Sequence, residues 1–322
     1  MNQGWAENTF HHSAFADLDR LVRLKQEKGL TISAAFPTLN EEATIVHAIE
    51  VVKDECVHRY PLLDQIAVID SGSEDRTMEL AGKAGVDVYF SGDCLSQHGH
   101  YPGKGENLWK SLYLLSGDII LWLDADIKNM HPKFVYGLLG PLLHYDDILF
   151  VKAYYQRPIQ IPGEENEFGG GRVTEILVRP LFSCFFPELA RLYQPCSGEC
   201  AGRRELLEQL PFAAGYGIET GMLIDIYTNY GPDVIAQVNL DLRVHRNQPA
   251  NVLGKMGFEI LHAFINRLHE LHRIQLKNQL SEMYRMLESG PDCYQLTPAS
   301  VQINERPPMA TIPEYQETRQ IS

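Results

Sequence analysis

The chain of 322 residues is long enough to bury a large core, as one big α/β domain or two smaller ones. Its 44% hydrophobic and 22% charged residues suit a globular protein, and no apolar run nears the roughly 20 residues of a membrane helix. A net charge of −14, from 28 basic and 42 acidic residues, excludes broad nucleic-acid binding and leaves any anionic ligand to a local basic pocket or a metal ion.

The start, MNQGWAENTFHHSAFADLD, lacks the basic head and apolar centre of a secretion signal, so the expected address is the cytoplasm. TISAAFP (31–37) reads as a strand. A helix should follow in NEEATIVHAIEVVKDE, with Asn40 as its N-cap and Ile45, Ala48, Ile49 and Val52 at helical spacing. QIAVID is a second strand, SGSEDRTMELAGKAG a loop and a helix ending at Gly85, and VDVYF a third strand. GENLWKSLYLLSG is a helix and DIILWLD (118–124) a fourth strand. This alternation predicts parallel strands joined by right-handed crossovers. Ligands of such sheets bind beyond the carboxyl ends of the strands. Here those ends carry PTLNEE, DSGSED and DAD. That edge is the expected site.

The second half is less regular. ILFVKAYYQRP and VIAQVNLDLRVH read as strands, and IPGEENEFGGGRVTEI as a glycine-rich loop. AGYGIETGMLIDIYTNYG holds a helix, residues 251–287 read as one long or two short helices, and the tail from Gly290 as extended or loosely attached. The expected divisions are an extension over 1–30, a nucleotide-binding part over 31–130, a second part over 131–289 and a tail over 290–322.

Asp124 and Asp126 end the fourth strand two residues apart, so their carboxylates point the same way and suit a hard divalent cation, Mg²⁺ or Mn²⁺. The alternative is an exposed acidic turn. Lys104, between two glycines at a helix start, would meet a phosphate beside backbone N–H groups, although the P-loop spacing is absent. A solvated loop lysine is the plain alternative. GGGRVTE offers backbone donors, the Arg172 guanidinium and the Thr174 hydroxyl to one anionic group, or else is a flexible hairpin tip. Arg179 and Arg191 either extend that pocket or are structural. His245 would complete the coordination of a metal held by the DAD carboxylates, or is an ordinary lone histidine. Glu219 stands near a helix start, for catalysis or for the helix dipole. The six cysteines read as reduced thiols, since only Cys196 and Cys200 are close and no second pair completes a zinc ribbon. G-x-S-x-G, H-E-x-x-H and strand–G-x-G-x-x-G patterns are missing, which removes the usual support for hydrolase, zinc-protease and dinucleotide-oxidoreductase readings.

PTLNEE, IDSGSED, PGKGENLWKSL, LDADIKNMHP, GGGRVTEILVRPL, GYGIETGMLID and IAQVNLDLRVHRNQP occur in an order that resembles the glucosyl-3-phosphoglycerate synthases, from about Thr31 to Pro249. The resemblance implies a GT-A fold: a Rossmann-like α/β nucleotide-sugar domain with a mostly parallel sheet, an acceptor-binding half and C-terminal helices. It implies retaining transfer of glucose from a nucleotide sugar, usually UDP-glucose, to the 2-hydroxyl of 3-phospho-D-glycerate, giving a precursor of glucosylglycerate. Other sugars or acceptors, such as mannosyl transfer, and a noncatalytic nucleotide-sugar-binding module are the alternatives.

Carried over residue by residue, Pro37, Thr38, Leu39 and Glu41 would line the nucleoside site, with Ser71 near the base. Thr38 departs from the family's alanine, which a backbone contact tolerates. Lys104 would face the diphosphate, and Asp124 and Ala125 the sugar nucleotide. Asp126 and His245 would bind the metal, and Gly171, Arg172 and Thr174 the acceptor. Glu219, Asp124 and Lys104 are the catalytic candidates. Neither a membrane nor a nucleic acid is an expected partner. A homodimer is, through the helical region after Asn251 with its series Phe258, Leu261, Phe264 and Leu268.

Overall fold

The computed structural model describes residues 8–161, 164–166, 170–244, 250–289 and 294–320. Its centre is a sheet of β1 (Thr9–His11), β2 (Ile32–Thr38), β3 (Gln65–Asp70), β4 (Asp87–Phe90), β5 (Ile119–Trp122), β6 (Phe150–Gln156), β7 (Cys200–Arg203) and β8 (Ile235–Leu242). In space the order is β1-β8-β6-β7-β5-β2-β3-β4. Every pairing is parallel except those of β7, which runs antiparallel between β5 and β6.

The run IILWL is apolar throughout because both faces of the sheet are covered. Ile119, Leu121 and Leu123 enter one core with Phe36, Leu138 and Leu142. Ile120 and Trp122 enter the other with Trp109, Phe182 and Phe264. Burying each such side chain contributes about 1.5–3 kcal/mol. Helices α1 (Leu18–Glu27), α2 (Ile45–Lys53), α3 (Thr77–Lys83) and α5 (Lys133–His144) cover the first face. Helices α4 (Lys104–Leu114), α6 (Arg179–Phe185), α7 (Ile218–Tyr230) and α8 (Ala250–Glu270) cover the second. Among the described residues, no helix is long and apolar enough to cross a membrane.

Several expectations change. Asn40 does not cap α2, which starts five residues later after Thr44. It adopts a left-handed φ of 59° instead. Its N–H donates to Ser73 Oγ at 2.8 Å, and its Oδ1 accepts from the Glu74 N–H at 2.9 Å, so it ties the loop after β2 to the loop after β3. The first 30 residues are no mere extension: β1 pairs with β8, and Leu18 and Leu21 of α1 enter the core. One sheet also runs across the expected division at residue 131, since β5 and β6 both flank β7.

Helix ends at Glu270 rather than near residue 287, and Met283–Ser289 is a strand paired antiparallel with Tyr294–Ser300. The tail is docked. Glu305 and Arg306 pair with Phe212 and Ala213, and Pro313–Gln320 forms α9, with Tyr315 buried. In the series expected at a dimer interface, Phe264 and Leu268 are buried within their own chain, Phe264 against Phe182, Phe185 and Phe186.

Candidate active site

The carboxyl ends of β2, β3, β5, β6 and β8 share one edge, and antiparallel β7 brings its amino end there too. The cleft at that edge holds about 970 Å³. Its floor is set by hydrogen bonds between strand ends. Buried Asp70 accepts from the Thr38 hydroxyl at 2.8 Å and from the N–H groups of Gly72 and Ser73 at 2.8 and 2.6 Å, which shapes the turn after β3. The Ser71 N–H donates to the Thr38 carbonyl at 3.0 Å.

Lys104 enters at the first residue of α4. A Cβ on Gly105 would stand 1.8 Å from the Ala213 carbonyl oxygen, so only glycine lets this helix start lie against that backbone. Lys104 Nζ donates to Asp124 Oδ1 at 2.5 Å and stands 3.2 Å from Glu219 Oε1 at the start of α7. Opposite, the Arg243 guanidinium bridges Asp124 Oδ2 at 2.9 Å and Asp126 Oδ1 at 2.7 Å. Its Nε lies 2.9 Å from Glu199, which also accepts from the Tyr155 hydroxyl. Arg157 donates to that hydroxyl at 3.0 Å. Gly198 is needed here as well, because a Cβ would meet Asp124 Oδ2 at 2.1 Å and Lys104 Nζ at 2.4 Å.

These contacts set the charges. Burial alone would raise the Asp124 carboxyl, but Lys104 and Arg243 hold it well below the usual carboxylate range. Asp126 is raised, by burial first and by Asp124 and Glu199, with Arg243 pulling the other way. Burial opposes the charge on Lys104, yet Asp124 and Glu219 keep its ammonium protonated far above the ordinary range. Four carboxylates (Asp124, Asp126, Glu199, Glu219) thus contact two cations. Asp124 and Asp126 converge on the one Arg243 guanidinium, and carboxylates so placed fit a divalent cation held by oxygen ligands.

Pro37, Thr38, Leu39, Glu41, Ser71, Ala125, Gly171, Arg172 and Thr174 line the same cleft as Lys104, Asp124, Asp126 and Glu219. Leu39 is more than half exposed, whereas Thr38, Ala125 and Thr174 are buried. His245 lies outside the described residues. Arg179 turns away from the cleft to Glu175 and to the carbonyls of Ala190, Leu192 and Tyr193, so it braces α6. Arg191 pairs with Glu188. Sequence reasoning missed Glu199 and Arg243. Both stood in view: QPCSGEC was weighed only for its thiols, and RVHRNQP only for its histidine. Cys196 lines the cleft, and Cys200 is buried and free.

A half-Rossmann strand order and an acidic end of β5 in a cleft of this size fit a nucleotide-sugar glycosyltransferase of the GT-A type. Consistently, the family model for glycosyl transferase family 2 matches residues 33–210. A glucosyl-3-phosphoglycerate synthase from Petrotoga mobilis is 51% identical over 317 residues, 98% of each chain. The chain belongs to the glucosyl-3-phosphoglycerate synthase family.

Solved structures agree. The Mycobacterium tuberculosis glucosyl-3-phosphoglycerate synthase, in complex with Mn²⁺, UDP-glucose and phosphoglyceric acid, superposes with a TM-score of 0.80. It is 39% identical, over 94% of this chain and 97% of that one. A mannosyl-3-phosphoglycerate synthase from Rubrobacter xylanophilus superposes with a TM-score of 0.88 at 36% identity, over 95% and 98% of the two chains.

Proposed function

We propose that this protein transfers glucose from UDP-glucose to the 2-hydroxyl of 3-phospho-D-glycerate with retention at the anomeric carbon, using Mg²⁺ or Mn²⁺. The observation that carries this reading is one cleft lined both by the Lys104–Asp124–Arg243 cluster and by Gly171, Arg172 and Thr174. An acceptor-binding role for that loop, beside the paired carboxylates that would take the cation, is what supports the reading.

In this reading Pro37, Thr38, Leu39, Glu41 and Ser71 hold the nucleoside, and Asp124 and Ala125 the sugar and diphosphate. Asp126 would hold the cation with His245, and the bound ion would neutralise the leaving diphosphate. Lys104 stabilises the same developing charge as the sugar–phosphate bond breaks and its electron pair moves onto the diphosphate. The acceptor oxygen forms the new bond and gives up its proton. Retention follows either from same-face attack, with the leaving phosphate taking that proton, or from two displacements through a covalent intermediate on Glu219. Gly171, Arg172 and Thr174 bind the phosphoglycerate. The halves 31–130 and 131–289 are then functional divisions, donor and acceptor, of one sheet.

The test is nucleotide diphosphate release measured with UDP-, GDP- and ADP-sugars, with and without 3-phosphoglycerate. Release only from UDP-glucose and only with the acceptor is expected. No release with any pair would leave a noncatalytic binding module. Because the mannosyl enzyme superposes so well, a mannosyl donor is the second reading, and preferred turnover with it would replace the first.

We also propose a homodimer and a cytoplasmic address. The address rests on two phosphorylated substrates that do not cross membranes unaided. The dimer draws support from apolar side chains on the hairpin after α8, where Leu287, Tyr294 and Leu296 are 63%, 76% and 62% exposed. A monomeric mass by light scattering would end it.

A further inference from the structure

At the sheet edge where β1 pairs with β8, three side chains with metal-binding chemistry meet. His11 Nε2 lies 2.8 Å from Asp241 Oδ1, and His12 Nε2 lies 2.7 Å from Asp241 Oδ2. Their ligand atoms are all within 4.8 Å of one another. The backbone bends to bring them there. The β8–β6 register shifts between Asn239 and Leu242, and Asp241 takes a left-handed φ of 61°, a conformation costly for a residue with a Cβ. Asn239 Oδ1 accepts the Asp241 N–H at 2.9 Å and holds that bend.

The second nitrogen of each imidazole is also engaged. His11 Nδ1 is 2.8 Å from Ser13 Oγ, and His12 Nδ1 is 3.0 Å from the Tyr136 hydroxyl. Hydroxyl partners on Nδ1 orient both rings with Nε2 toward the carboxylate, as outer-shell partners do for metal-bound histidines. A longer contact, the Ser13 N–H to His11 Nδ1 at 3.3 Å, favours the other tautomer and would have to give way. Lys133 Nζ donates to Asp241 Oδ2 at 2.9 Å, and that oxygen has a second lone pair.

We propose that His11, His12 and Asp241 form a second divalent-cation site, separate from the cleft, for a zinc-class ion. Two imidazoles and a carboxylate are the donor set of a borderline metal such as Zn²⁺ rather than of Mg²⁺. With metal–ligand bonds of about 2.0–2.2 Å, N···O separations are about 3.0–3.4 Å, so the atoms need to part by only a few tenths of an ångström. On binding, each ring proton that faces the carboxylate moves from Nε2 to Nδ1, where the Ser13 or Tyr136 hydroxyl oxygen accepts it. Water completes the shell on the exposed side. The ion would cross-link the chain segment at β1 to β8, the strand that leads into Arg243.

Co²⁺ serves as the probe, added to chelator-stripped full-length protein and followed by calorimetry and visible absorption. Wild type should bind two ions, one at each site. Asp126→Asn should keep one, with the d–d bands of a nitrogen-ligated site, and Zn²⁺ should displace it. His11→Gln/His12→Gln should lose that ion while keeping the cleft ion, nucleotide-sugar affinity and far-ultraviolet circular dichroism. His12→Gln alone should weaken it at least about tenfold, the scale that even outer-shell changes reach. A hydrogen-bond knot with no metal function would show no saturable Co²⁺ binding in Asp126→Asn. That result, or binding unchanged by the double substitution, overturns the proposal.

Discussion

Helix α4 carries two buried ionic networks less than a turn apart, and they differ in balance. At its first residue, Lys104 shares Asp124 and Glu219 at the mouth of the cleft, where carboxylates outnumber cations. Two residues on, Glu106 receives Arg306 through Nε and Nη2, both at 2.7 Å, with Lys110 3.1 Å away. The surplus positive charge there is absorbed by carbonyls: Arg306 donates to His98 and Gly99 at 2.7 and 2.9 Å, and Lys110 to Ser91 at 2.7 Å. Tyr101 and Trp109 close over the guanidinium, with ring centroids 4.2 and 4.9 Å from its carbon. The Glu106 network is complete and sealed. The Lys104 network is incomplete and open, and an unbalanced cluster reachable from solvent is what marks a ligand site.

The sharpest way to separate the two networks is to remove divalent cations. Chelation should abolish turnover and Mn²⁺ should restore it, while thermal unfolding shows the sealed network intact. Full activity in chelator would erase the distinction. Next in size, Arg306→Ala leaves Glu106 buried without its main partner and should destabilise the fold by about 3–5 kcal/mol. Urea midpoints measure this, and a change within about 0.5 kcal/mol would show that the sealed network is not structural.

Lys104→Ala should act the other way, on rate more than on stability. Losing a cation beside the leaving diphosphate costs about 2–4 kcal/mol of transition-state stabilisation, roughly 30- to 1,000-fold in kcat/KM. Unchanged kinetics would make Lys104 structural. The smallest expected effect is at the acceptor side. Arg172→Ala removes a charged hydrogen-bond donor worth about 1.5–3 kcal/mol, so KM for 3-phosphoglycerate should rise ten- to a hundredfold or more. Calorimetric affinity for the nucleotide sugar should be nearly preserved. If donor affinity falls instead, the glycine loop belongs to the donor.

Much of this was legible locally. QIAVID is strand β3 at both ends, and the other early strands differ by at most two residues per end, because their burial follows from apolar content within a few positions. Lys104, Asp124, Glu219 and Arg172 were each picked out before any distance was known, and they line one cleft. What escaped notice depends on partners far along the chain. Arg243 meets Asp124 across 119 positions, and Arg306 meets Glu106 across 200, so neither role is written in neighbouring residues. Asn40 looked like a cap because its type suits one, while its actual partner is a loop 34 residues away. Met283–Ser289 carries apolar residues at spacings a helix would also use, and only its pairing with Tyr294–Ser300 decides for strand.

The edge pairing of β1 with β8 has a consequence for biosynthesis. Thr9, Phe10 and His11 leave the ribosome well before their partners Gln237, Val238 and Asn239, which are made roughly 230 residues later. At 5–20 residues per second, that interval is on the order of 10–50 s. Through it the nascent chain carries an orphaned strand, and the sheet is still open at that edge. The sealed network on α4 waits as well, because Arg306 is made 200 residues after Glu106.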